Sequence, residues 1–232
     1  MYYDISILLL IPAMIFAVAA SAGVRSAFNR YANVRTARGL TGAQAARQIL
    51  DANGLTDVGI QRVAGSLTDH YDPRTRTVSL SQSVCESDSV SAVAVACHET
   101  GHALQHANGY APLQIRSMLV PVANAASSFT WILIMIGIMI MASGRGNAGA
   151  LIFDIGVYIF LAVVAFHLVT LPVEFNASKR ALEQMEVLNI TVGDEQAGAR
   201  KVLTAAAWTY VAGLAVAVAN LLRLLVLRGN RR

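Results

Sequence analysis

Cysteine is nearly absent: Cys85 and Cys97 are the only two in 232 residues, which excludes a disulfide-stapled secreted module. Charge is scarce as well. Only 14% of the residues are charged against 55% hydrophobic, and the mean hydropathy is +0.52. That balance excludes an ordinary soluble domain and puts most of the chain in lipid. The little charge present leans positive, at +4. Lys and Arg are scattered and partly gathered beside apolar runs, where membrane topology accounts for them, so nucleic acid is set aside as a partner.

Stretches without charge locate the spans, because crossing a bilayer takes about 20 apolar residues per helix. Ile5 to Val24 lie clear between Asp4 and Arg25, and Ser117 to Gly144 between Arg116 and Arg145. Only Asp154 and His167 interrupt the stretch from Arg145 to Glu174, and Val202 to Leu222 run clear from Lys201 to Arg223. Four transmembrane helices are expected, near 5–24, 119–142, 151–171 and 203–224. The first span ends in Ala-Val-Ala-Ala-Ser-Ala-Gly, a signal-peptidase-like run, but no positive residue precedes it and four arginines follow, so an uncleaved anchor is expected.

Those arginines, Arg25, Arg30, Arg35 and Arg38, mark the cytoplasmic side. Segments 25–116 and 172–201 are then cytoplasmic, and the Arg145 loop and the tail are external. Arg223, Arg228, Arg231 and Arg232 in the tail oppose this assignment, which rests on the arginines near the first span dominating. The expected organisation is a 1–24 anchor, a 25–116 water-exposed segment, two spans over 117–171, a membrane-proximal helix over 172–201, and a last span with a basic tail over 202–232.

Residues 25–116 form the one stretch long enough for a water-exposed unit, and a small α+β arrangement is expected there. Thr41-Gly-Ala-Gln44 predicts a capping box opening a helix through Ala52, stopped at Asn53-Gly54. Val58 to Val63 predicts a strand, and Leu67 to Leu80 two short strands about a turn at Asp72-Pro73. The strand-like Thr75 to Leu80 is expected to offer an edge to an extended substrate. Ser87, Asp88 and Ser89 are N-cap types ahead of a helix from Val90 to His106 that ends at Asn108-Gly109. The fold class is mainly α: about four transmembrane helices carrying this small unit.

The last of those helices contains His98-Glu99-Thr100-Gly101-His102. Histidines four apart share one helix face, so both imidazoles can converge on one Zn²⁺, and Glu99 can reach a water there as general base. A hydrolytic site needs a third protein ligand and an open position. His106 lies about 12 Å of helix rise from His98, too far for both to bind one ion. His70, in the turn region, is one candidate and could bind substrate instead. Glu174 is the better one. It follows the third span in Leu171-Pro172-Val173-Glu174-Phe175-Asn176-Ala177-Ser178, where Pro172 is expected to start a new helix. Two spans separate it from His102, so both emerge on one side, and Ser178, one turn further on, can support a ligand by a hydrogen bond.

His98-Glu-Thr-Gly-His102-Ala-Leu-Gln-His106, Leu67-Thr-Asp-His-Tyr-Asp-Pro73, Tyr110-Ala-Pro112 and Leu171-Pro-Val-Glu-Phe175 occur in that order. Together they resemble the bacterial membrane-bound neutral zinc metallopeptidases of the YugP-like group and, more distantly, HtpX-type membrane gluzincins. The resemblance covers almost the whole chain. It implies a zincin-like catalytic unit on a membrane scaffold, one Zn²⁺ held by His98, His102 and Glu174, and Glu99 as base. Asn176 departs from the pattern, which tends to have Asp there. Site-2 type intramembrane proteases use the same motif inside a long apolar helix, but the apolar run before His98 is about eight residues, short of a span.

Cys97 reads as a buried small residue. Asp154 and His167 lie within the third span, each near an end, where an interfacial position is as good a reading as a functional one. Gly213 and Ala217 form a small-xxx-small pair, a weak signal for a homo-oligomer. His70 and Tyr71 are candidates for stabilising an oxyanion. The expected function is a membrane-bound zinc endopeptidase acting on membrane or membrane-associated polypeptides, in the cell membrane with a cytoplasmic active site. The alternative is a non-catalytic membrane protein that uses zinc to brace its fold and binds client proteins; Glu99 separates the two, because a structural site has no need of that carboxylate.

Overall fold

The computed structural model describes residues 5–229; the arginines at 231 and 232 lie outside the described residues. A 3₁₀ turn over Ile5–Leu9 leads into α1 (Leu10–Ala32), followed by α2 (Gly42–Ala52), β1 (Gly59–Val63), β2 (His70–Asp72), β3 (Thr77–Ser81), α3 (Gln82–Cys85) and α4 (Val90–Ala107). Three long helices close the chain: α5 (Ala111–Ala142), α6 (Gly146–Val187) and α7 (Asp194–Gly229). The fold is thus mainly helical with one small sheet. Four helical segments are long and apolar enough to cross a membrane: Ser6–Ala32, Ala111–Ala142, Gly146–Val187 and Asp194–Gly229.

The chain divides into two compact units, residues 1–19, 115–171 and 210–232 in one, 20–114 and 172–209 in the other. In the first, Phe153, Val157, Phe160, Ala217 and Leu224 form the buried core. Gly137 and Gly149 let α5 and α6 meet backbone to backbone, since a Cβ on Gly137 would fall 2.8 Å from the Gly149 carbonyl oxygen. Asp154, near the start of α6, pairs at 2.8 Å with Arg228, near the end of α7. A Cβ on Gly213 would lie 3.2 Å from His167 Cε1, and Ala217 is buried. The small pair read as an oligomer signal is therefore packed within the chain.

In the second unit the local expectations for α2 and α4 hold. Thr41 Oγ1 accepts from Gln44 N, and Gln44 Oε1 accepts from Thr41 N, the reciprocal bonds of a capping box. Ser89 caps α4 by accepting from Ala92 N, and Gly109, at φ +63°, turns the chain after its C-cap Asn108. Arg35 pairs with Asp88 at 3.0 Å, and Arg38 donates to the carbonyls of Leu188 and Asn189. Two of the four arginines after the first apolar run thus tie the segment after α1 to the start of α4 and to the turn after α6. Ile49, Leu50, Val78, Leu80, Val93, Met185 and Ile190 lie in the core of this unit.

Two expectations are corrected. Pro172 does not start a helix: α6 runs unbroken through it to Val187, so residues 172–201 comprise the end of α6, a turn with Asn189 and Gly193 at positive φ, and the start of α7. A proline removes one bond to the preceding turn, and a helix held by packing beyond the proline absorbs that loss, as Val173, Ala177 and Ala181, all buried, do here. The strand expected to offer a free edge is instead the middle one. β3 pairs parallel with β1 and antiparallel with β2. Its serines Ser79 and Ser81 are fully buried and satisfied, Ser79 Oγ by Gln61 Nε2 and Ser81 Oγ by the Asp69 carboxylate. The open edges belong to β1 and β2.

Candidate metal centre

Helix α4 is buried along most of its length, including Glu99 and His102, and its helical spacing sets the rings of His98 and His102 edge to face with centroids 4.8 Å apart. Gly101, between them, lets α6 approach: a Cβ there would sit 2.4 Å from the Ala177 carbonyl oxygen. That contact brings Glu174, 1% exposed, over the two imidazoles. Glu174 Oε2 lies 3.2 Å from His98 Nε2 and 3.6 Å from His102 Nε2, and one donor atom from each of the three residues falls within 4.8 Å of the others.

This donor set fits zinc. Ligands about 2.0–2.1 Å from a tetrahedral ion lie about 3.3 Å apart, and both imidazoles turn Nε2 inward while their outer nitrogens are held. His98 Nδ1 is 3.1 Å from Ser178 Oγ. His102 Nδ1 is 3.0 Å from Gln105 Oε1. Ser178 thus stands one turn beyond Glu174 on α6 and against a histidine of the cluster.

Glu99 is buried, and that burial pushes its carboxyl up to about 7; His98 opposes the shift, while Glu174 and Asp69 reinforce it. Asp69 is itself fixed, accepting from Ser81 N at 2.7 Å and from Ser81 Oγ.

The remaining residues singled out in the sequence stay outside the donor set. His106 Nδ1 bonds the Tyr71 hydroxyl at 2.8 Å, which joins the end of α4 to β2. His70 is exposed, with Nδ1 2.8 Å from the Thr68 carbonyl oxygen. Cys97 is fully buried, and burial raises its thiol pKa, as suits a packing residue. Asn176, where the pattern tends to have Asp, accepts from both Gln105 and Arg180. Gln105 was missed. Its signal was spacing: three residues after His102 puts it on the same helix face.

The chain matches the family described as "Putative neutral zinc metallopeptidase" over residues 6–229. It is 44% identical over 209 residues, 90% of either chain, to a Bacillus subtilis (strain 168) protein named "Putative membrane protease YugP". No solved structure matches it significantly. Since almost the whole length is matched, the chain belongs to this neutral zinc metallopeptidase family.

Proposed function

We propose that the protein is a multi-pass membrane zinc endopeptidase, with one zinc ion per chain and its active site on the cytoplasmic side, acting on membrane or membrane-associated polypeptides. The observation that carries this reading is the three-donor cluster of His98, His102 and Glu174 beside a buried fourth group, Glu99, that is not one of the donors. A bracing zinc site takes four protein ligands, whereas hydrolysis takes three, an open position and a base.

A zinc ion held there supplies a Lewis acid for the scissile carbonyl and for the attacking water. Glu99 takes the proton of that water as the new C–O bond forms and returns it to the leaving amine nitrogen as the C–N bond breaks. Of the two open edges, the one assigned to an extended substrate is that of β2, whose Tyr71 reaches the end of α4. Glu174 stands three residues beyond Leu171, where the apolar run ends, so a site built on it lies within about 10 Å of the membrane surface by helix rise. A polypeptide confined to that surface reaches it at higher effective concentration than one in solution.

Purified full-length protein should carry zinc at one per chain and cleave an unfolded polypeptide in a chelator-sensitive way. Glu99→Gln should keep the zinc and lose cleavage, while Glu174→Ala should lose both. Normal cleavage by Glu99→Gln would overturn the general-base assignment, and full zinc in Glu174→Ala would move the third-ligand role elsewhere, to His70 first.

A further inference from the structure

We infer that Gln105, held by Asn176 and Arg180, is a positioning residue that fixes which nitrogen of His102 faces the metal. The inference rests on the proposed metal centre and adds to it a group that takes no part in the donor set.

A histidine can offer a lone pair from only one nitrogen at a time, and the hydrogen bond at the other nitrogen selects which. Here that bond goes to an amide, whose oxygen and nitrogen ends are similar in shape and opposite in effect. Two groups of fixed polarity remove the ambiguity. The Val173 carbonyl can only accept, and it lies 2.7 Å from the Gln105 amide, so the atom facing it is the Nε2 donor. Arg180 Nε can only donate, and it lies 2.8 Å from Asn176, so the atom facing it is Oδ1. That Oδ1 also accepts from Gln105 Nε2 at 3.0 Å. Both constraints turn Gln105 the same way and leave Oε1 facing His102 Nδ1 at 3.0 Å. Nδ1, the nitrogen within hydrogen-bond distance of an acceptor, then carries the proton of the neutral ring, while Nε2 stands 3.6 Å from Glu174 Oε2, too far for a hydrogen bond to hold a proton there.

The relay is sheltered and anchored. Gln105 is fully buried, and the Arg180 guanidinium lies over the Tyr110 ring, 5.9 Å from its centroid. Val173, which sets the direction of Gln105, precedes the ligand Glu174, so one α6 turn supplies both the third donor and the group that orients the second. His98 has no such device, because its partner Ser178 is a hydroxyl that donates or accepts equally well.

The test uses full-length protein in nanodiscs with isotopically labelled histidine nitrogens, His102 being assigned by the resonances lost in His102→Gln. In metal-free protein, about two pH units above the ordinary histidine pKa, His102 should show a protonated Nδ1 and a bare Nε2. Gln105→Met, close in volume and without the acceptor, should mix the two tautomers and weaken zinc binding by about 10–100-fold in chelator competition. Arg180→Met removes one of the two constraints and leaves the Val173 carbonyl to turn Gln105, so it should keep both readouts near wild type, as should Asn176→Asp, which keeps the acceptor oxygen.

An unchanged His102 pattern in Gln105→Met overturns the inference; should that variant not fold, an unchanged pattern in Gln105→Leu does so. Wild-type zinc affinity in a folded Gln105→Met also overturns it. A wild-type protein that binds no zinc would sink the proposed function instead, and the metal-free spectra would still decide the role of Gln105.

Discussion

Replacing Gly101 with alanine adds one methyl group at the point where α4 and α6 touch. That methyl would lie 2.4 Å from the Ala177 carbonyl oxygen, 3.0 Å from its carbon and 3.1 Å from its Cα. These are backbone atoms, so no side-chain rotation relieves the clash. The helices must part by at least about 0.6 Å for the shortest contact alone, and close-packed interiors resist such a shift. Overpacking of this kind costs about 1–3 kcal/mol, and the better helix propensity of alanine returns about 1 kcal/mol. The larger effect falls on the metal. Glu174 is one turn from Ala177 on α6, and ligand distances must hold within about 0.2 Å, so the displaced carboxylate should weaken zinc binding by at least about tenfold. The assay is chelator competition and thermal unfolding of Gly101→Ala beside Gly23→Ala, a helical position with nothing within 4 Å of the added methyl. Wild-type zinc affinity and wild-type unfolding in Gly101→Ala would refute the close-approach argument.

Orientation is testable by cysteine labelling with an impermeant reagent on a background of Cys85→Ser and Cys97→Ala. Asn147→Cys should label from outside intact cells and Ser66→Cys only after the membrane is opened; the reverse pattern would overturn the cytoplasmic assignment. For substrate choice, one cleavable segment should be cut faster when joined by a short linker to a transmembrane helix than when free, with the enzyme in liposomes. Equal rates would remove the argument from surface confinement.

The parts of this protein legible in its sequence are those governed by a length or a local pattern. The four long apolar helices followed from charge gaps against bilayer thickness, and α2 and α4 from caps that act within three residues. Glu174 was reachable because an even number of spans returns the chain to the same side. What escaped depends on neighbours distant in sequence. Nothing local distinguishes Pro172 at a helix start from Pro172 inside α6. Nothing local marks β3 as the middle strand, because Gln61 and Asp69, which satisfy its buried Ser79 and Ser81, come from other segments. Gln105 is an ordinary polar residue until Val173 and Asn176 surround it, and Gly101 is simply the fourth residue of the motif until Ala177 comes against it.

The distribution of these contacts bears on how the site forms. On α6 the bond to Gln105, the third donor, the second contact with Gln105, the approach to Gly101 and the bond to His98 fall at Val173, Glu174, Asn176, Ala177 and Ser178 in turn. They occupy about 8 Å of helix. Docking that short stretch on α4 and completing the donor set are therefore the same event, and any ion bound only by the complete set stabilises the docked arrangement, by about 4 kcal/mol at a thousandfold excess over its dissociation constant. Between His102 and Glu174 lie all of α5 and the apolar part of α6. The two motif histidines are thus in place along the chain before either of these candidate spans, and the third donor arrives only after both. A donor set ordered in this way along the chain stays incomplete until the end of α6 has been placed against α4.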